Sequence, residues 1–171
     1  FDPATDLLAS APSLSSARGA HAISQLGNGD ILVTGGIGAG FLGIPSFLTT
    51  CQRFDGLNWN GAGSLATGVA LHTQVPAFDN GDAIIIGGIS GISGGIGGAS
   101  LSFSVTDQAG RHDGASFTSL AALGTNPGDA SELARPRGSH TCTPLYDGTF
   151  ALIGGADLLG ALDSGLVYLE N

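Results

Sequence analysis

Short apolar runs, each closed by a pair of glycines, recur along the chain. Residues 31–34 read ILVT, 83–86 read AIII and 150–153 read FALI, followed at once by Gly35-Gly36, Gly87-Gly88 and Gly154-Gly155. Runs of β-rich residues without polar alternation predict strands buried on both faces. Ahead of each run stands a turn pair: Asn28-Gly29, Asn80-Gly81 or Asp147-Gly148. Ahead of each pair, a histidine (His21, His72 or His140) opens a further short strand. Asn-Gly or Asp-Gly between apolar strands predicts a two-residue type I′ turn, with positive φ at both central positions. The paired glycines let backbone pass where a side chain would clash.

Weaker strands are expected between these hairpins. After the first come 46–56 (SFLTTCQRFDG) and 57–65 (LNWNGAGSL); after the second, 100–108 (SLSFSVTDQ) and 114–123 (GASFTSLAAL); after the third, only 164–171 (SGLVYLEN). Residues 1–14 (FDPATDLLASAPSL) are expected to supply the strand this last unit lacks, within the chain or in a partner's unit, because Phe1-Asp2 matches Phe54-Asp55. The chain then reads as one array with units at 16–65, 66–123 and 133–171, plus the strand 1–14. Four-stranded units at a period of about 50 residues predict an all-β fold built like a β-propeller.

Taken together, Arg18-Gly19-x-His21, the Asn-Gly turn, the strand ending in Gly-Gly and the FDPAT segment resemble the kelch repeat family. The resemblance implies three four-stranded antiparallel kelch-like blades, half of a ring that such proteins close with six or seven. By fold analogy it also implies protein or carbohydrate binding. The chain departs from the pattern in places. The second unit lacks the arginine and has one extra residue between His72 and its turn. The fourth-strand tryptophan survives only as Trp59, with Leu8 and Phe117 as its replacements. The double glycines are 52 and then 67 residues apart, which makes 109–137 a long linker.

Three blades leave two flat apolar faces, each on the order of 400 to 600 Å². Wetting one forfeits roughly 10 kcal/mol, comparable to the stability of a whole domain. The expected partner is therefore another copy, in a head-to-tail ring or filament, or the remainder of a longer chain.

Composition narrows the function classes. Thirty glycines suit turns rather than helices, and no apolar run approaches the length of a spanning helix, so no membrane insertion is expected. Only 11% of residues are charged, lysine is absent and the net charge is −9, a balance that repels nucleic acid. The sparse charge points to an extracellular or cell-surface location. Cys51 and Cys142 lack metal-type spacing; one disulfide and two buried thiols both fit.

The chemistry is sparse. Three histidines in one repeat position point to a scaffold hydrogen bond rather than a ring of metal ligands, so no metal or cofactor is expected. Arg111, His112 and Asp113, in GRHDG, break the repeat and are candidates for a small ligand-binding site. The glycine tracts 35–46 and 87–100, with Ile89, Ile92 and Ile96, read as crossovers or as a recognition surface. The expected function is a non-catalytic extracellular module that self-assembles and presents loops to a protein or glycan, or for structural contact. The alternative is a kelch-type sugar epimerase or lyase, which needs an acid/base pair. Its candidates, Asp107, Asp113, Asp129, Glu132 and Arg111, stand at no recognisable spacing from an orienting group.

Overall fold

A computed structural model of the chain describes residues 4–7, 10–40, 44–93, 102–120, 136–163 and 165–168. Among these residues every regular element is a β-strand and every strand pairing is antiparallel. The first sheet sets Ala22–Gln25, Ile31–Thr34, Thr50–Phe54 and Trp59–Ser64 side by side in chain order. The second repeats that order with Thr73–Pro76, Ala83–Ile86, Ala109–His112 and Phe117–Ser119. In the third, Phe150–Ile153 lies between Thr141–Pro144 and Gly165–Tyr168.

The apolar runs are the second strand of each sheet, as their pattern predicts. Ala83–Ile86 is buried along its whole length. Its two faces feed two cores. Ala83 and Ile85 pack with Leu32, Cys51 and Ala62 of the first sheet, while Ile84 and Ile86 pack with Phe150 and Leu152 of the third. The sheets thus stack face to face, and strand alternation sends successive side chains to opposite neighbours. Phe117 stands opposite His112 as Trp59 stands opposite Phe54, so it takes the tryptophan's place in the second sheet.

Three expectations are corrected. First, the hairpin turns are not type I′. Only the glycines, Gly29, Gly81 and Gly148, have positive φ; Asn28, Asn80 and Asp147 do not. Leu26 N–H bonds Asp30 O at 2.8 Å and Gly29 N–H bonds Leu26 O at 2.9 Å, which closes a three-residue loop ending in a left-handed glycine. The third hairpin repeats this through Leu145 and Thr149, and the extra residue of the second widens its loop to Ala77–Asp82. Asn28, Asn80 and Asp147 instead accept the backbone N–H two residues on, at 3.0, 3.0 and 3.1 Å.

Second, Ser102–Val105 is not the third strand of its sheet. It pairs with Ile89–Ser93 in a separate ribbon, and Ala109–His112, expected to be linker, takes the sheet position. Equivalent ribbons, Ile37–Ala39 with Pro45–Phe47 and Ala156–Asp157 with Gly160–Ala161, follow the other double glycines. Third, of the expected strand 1–14, residues 10–14 form no strand, while Leu7 stands in a β-bridge. Residues 10–14 lie against the first sheet, with Trp59 Nε1–H donating to Pro12 O at 2.9 Å and Ser15 N–H to Gln52 Oε1 at 3.2 Å. Pro12 has no N–H to give a ladder. Residues 1–3 and 8–9, including Leu8, lie outside the described residues, as do 94–100 with Ile96, 121–135 with Asp129 and Glu132, and 169–171.

Candidate functional site

The most specific polar geometry lies between the sheets, where one set of atoms recurs. Ala20, Leu71 and Ser139, each just before a repeat histidine, have φ of 52°, 52° and 55°. Non-glycine residues rarely adopt this left-handed conformation. It turns their peptide groups across the sheet boundary: Leu71 N–H bonds Ala20 O at 3.0 Å and Ser139 N–H bonds Leu71 O at 2.9 Å. Beside this chain, Gly36 N–H bonds Val69 O at 2.7 Å and Gly88 N–H bonds Arg137 O at 2.8 Å.

The histidines complete the joint. His72 Nε2 lies 2.8 Å from Thr34 Oγ1, and His140 Nε2 lies 2.9 Å from Thr73 Oγ1. The two threonines sit on different strands. Thr34 pairs with Ala22 and Thr73 with Ile86, so the hydroxyl has moved to the other member of the same cross-strand pair. For His72 and His140 the bond reaches the preceding sheet. Thr34 Oγ1 donates to Gln74 Oε1 at 2.5 Å, which leaves its lone pair for the Nε2–H of His72. Nδ1 of both His72 and His140 is then buried without a hydrogen-bond partner. Burial first, and nearby His140 and His21 second, push His72 down to about 4; burial, then Arg137, does the same to His140. His21, in the same repeat position, is exposed.

The double glycines divide the work. A Cβ on Gly36, Gly88 or Gly155 would strike its own unit's chain just before the histidine. A Cβ on Gly35 would lie 2.4 Å from Val69 O, and one on Gly87 2.5 Å from Arg137 O, both in the following unit. Arginines brace this turn from within. Arg18 donates to Gly35 O at 2.9 Å and to Thr50 O at 2.8 Å, and the fully buried Arg137 donates to Gly154 O at 3.1 Å. The second unit has Val69 there, buried in the core between the first two sheets.

Arg111, His112 and Asp113 share no cleft. His112 is fully buried, with Nε2 2.8 Å from Ala62 O and Nδ1 accepting Gly114 N–H at 3.0 Å. It pins the second sheet to the outer strand of the first. Arg111, on the opposite face of the strand, pairs with Asp79 at 3.1 Å and Asp82 at 3.6 Å. Asp113 accepts from the backbone of Ala115 and Ser116, which holds its carboxyl below the ordinary range. Asp79 is 61% exposed, and an ion pair with so exposed a partner contributes little. Asp79→Ala is accordingly expected to change the unfolding free energy by about 1 kcal/mol or less, measured by urea denaturation.

Cys51 and Cys142 are unpaired, and burial pushes both thiols up to about 11. Asp107 is half-buried. No group of three or more metal-ligating side chains occurs among the described residues, and no helix there could cross a membrane. The signal for the joint was visible in the sequence as a histidine followed 14 or 15 residues later by two glycines. The threonine was not, because it changes strands between copies.

No family model matches the chain, and no curated protein matches it. Among solved structures, 109 chains match. One, titled "Structure of YjhT", superposes with a TM-score of 0.66 at 20% sequence identity, over 98% of this chain and 47% of that one. The chain thus spans about half the length of that structure, and the likeness concerns the fold.

Proposed function

We propose that the three sheets are blades of a kelch-like propeller array, and that the chain is a non-catalytic module completed by further sheets of its own kind. The observation that carries this reading is a contrast in exposure along one repeated position. The face turned toward the next unit is fully buried at Leu32 and Thr34 and again at Ile84 and Ile86, whereas its third copy leaves Ile153 57% exposed. At the other end Ile23 is 55% exposed, while Val33 and Gln52, level with it on the same face, are buried. Faces that are core twice over and wet the third time are interfaces awaiting a partner.

The ribbons are the recognition or contact elements on this reading. Ile92 and Phe103 form an exposed apolar cross-strand pair on the second, and Leu158 and Leu159 stand exposed at the turn of the third. Arg111, His112 and Asp113 are engaged in holding the sheets and a turn, which favours a binding or structural role over the sugar-modifying one. An extracellular or cell-surface setting fits the low charge and missing lysine.

Negative-stain images of the 171-residue chain at micromolar concentration are expected to show discs or short filaments. A uniform field of isolated folded 16.8 kDa particles would remove the assembly reading.

A further inference from the structure

We infer that the open face of the third sheet is a socket for the first sheet of a second copy of this chain, so that two copies close head to tail; this rests on the assembly reading above. The two interior joints define what the occupant must bring. Each receives, from the following unit, a backbone carbonyl two residues before the left-handed residue, that residue's N–H, and a histidine Nε2. Each offers a glycine N–H, a carbonyl and a threonine hydroxyl in return.

The third unit carries the same offering. Ser139 O, Gly155 N–H and Thr141 Oγ1 stand where Leu71 O, Gly88 N–H and Thr73 Oγ1 stand in the second, and none bonds to another sheet among the described residues. Gly154 keeps room for the occupant. Its φ of +68° matches the +64° of Gly87, yet the nearest atom to a Cβ there is Leu162 O at 3.6 Å, where Gly35 and Gly87 meet a carbonyl of the next unit at 2.4 and 2.5 Å.

The first unit carries the matching set. Arg18 O, Ala20 N–H and His21 occupy the places of Val69 O, Leu71 N–H and His72, and Ala20 already holds the left-handed conformation at φ 52°. His21 is the exposed counterpart of two buried histidines. Seated on a second copy, it would reach Thr141 as His140 reaches Thr73. Two copies is the number proposed, because one copy superposes on 47%, about half, of a solved chain of similar fold.

The experiment is sedimentation of the 171-residue chain and of two variants, Ile23→Glu at the leading end and Ile153→Glu at the trailing end. Both side chains are more than half exposed, so circular dichroism and thermal melts should show folded variants. The wild type is expected at twice 16.8 kDa. Each variant alone is expected to be monomeric, its assembly weakened about 100-fold or more by a buried charge. An equimolar mixture is expected to recover dimers, because one joint then has both faces intact. A dimer that survives Ile153→Glu overturns this joint while leaving self-assembly standing. A series of species beyond the dimer overturns closure by two copies. A folded wild-type monomer at tens of micromolar overturns both and assigns the socket to further sheets of a longer polypeptide.

Discussion

Lowering the pH from 7 to 4 is expected to remove several kcal/mol of unfolding free energy, well before the carboxylates titrate. His72 and His140 are held near 4 in the fold, against an unfolded value of about 6.5. Their folded-state values are depressed, so between the two limits the unfolded chain binds the protons and the fold excludes them. Stability is therefore full above about pH 6.5 and drains as pH falls toward 4. The cause is geometric. Nε2–H is committed to a threonine hydroxyl, and a proton on Nδ1 would find no acceptor in a buried site. At about 1.4 kcal/mol per unit, each histidine contributes up to roughly 3 kcal/mol, and the pair up to about half of a typical domain's stability. Asp55, Asp79, Asp113 and Asp147 lie below 3.8, so whatever they contribute is lost at still lower pH. Urea midpoints at pH 7, 5.5 and 4, at one fixed protein concentration, read the effect. His72→Gln/His140→Gln keeps a donor for each threonine but removes their titration, so its profile should be clearly shallower, keeping the share of buried His112, which burial also holds below its ordinary value. A wild type as shallow as the double variant would exclude this account.

How much of this was legible in the sequence depended on how locally each feature is encoded. Ile31–Thr34 and Ala83–Ile86 were readable because burial on both faces leaves a nearly unbroken apolar run, and Phe150–Ile153 because it carries the same run although one of its faces is open. The glycine pairs were readable because positive φ and close backbone leave few other residues possible. Ala109–His112 was missed since its AGRH sequence alternates neither size nor polarity. His112 is buried by a bond to Ala62 O, 50 residues away, which no local pattern announces. The ribbon strand Ser102–Val105 was misassigned for the converse reason: its SFSV alternation is genuine strand patterning, but its partner is the chain just past Gly88. Among the candidate residues, GRHDG looked like a polar cluster because sequence proximity was read as spatial proximity. A strand sends Arg111 and His112 to opposite faces.

Gly87→Ala is expected to destabilise the fold by about 3 to 4 kcal/mol, and Gly154→Ala by only about 1, although both glycines open identical Gly-Gly pairs. Both have positive φ, +64° and +68°, and the left-handed conformation alone costs a residue with a Cβ about 1 to 2 kcal/mol. What separates them is the neighbour. At Gly87 the new methyl would sit 2.5 Å from Arg137 O and 2.8 Å from the His140 ring. Arg137 O is held by Gly88 N–H, so the second and third sheets must part to admit the methyl, an overpacking cost of about 1 to 3 kcal/mol in a tight core. At Gly154 the nearest atom is at 3.6 Å, ordinary contact. Gly35→Ala should follow Gly87→Ala, since its methyl would lie 2.4 Å from Val69 O. Urea denaturation of the three variants, dilute enough to keep the chain monomeric, measures the difference. Equal losses at Gly87 and Gly154 would mean that φ alone sets the cost and that the following unit has no part in it. Raising the concentration then asks a second question of Gly154→Ala. A substitution nearly neutral for the fold should still abolish assembly if another copy's Arg18 carbonyl belongs where the methyl now stands.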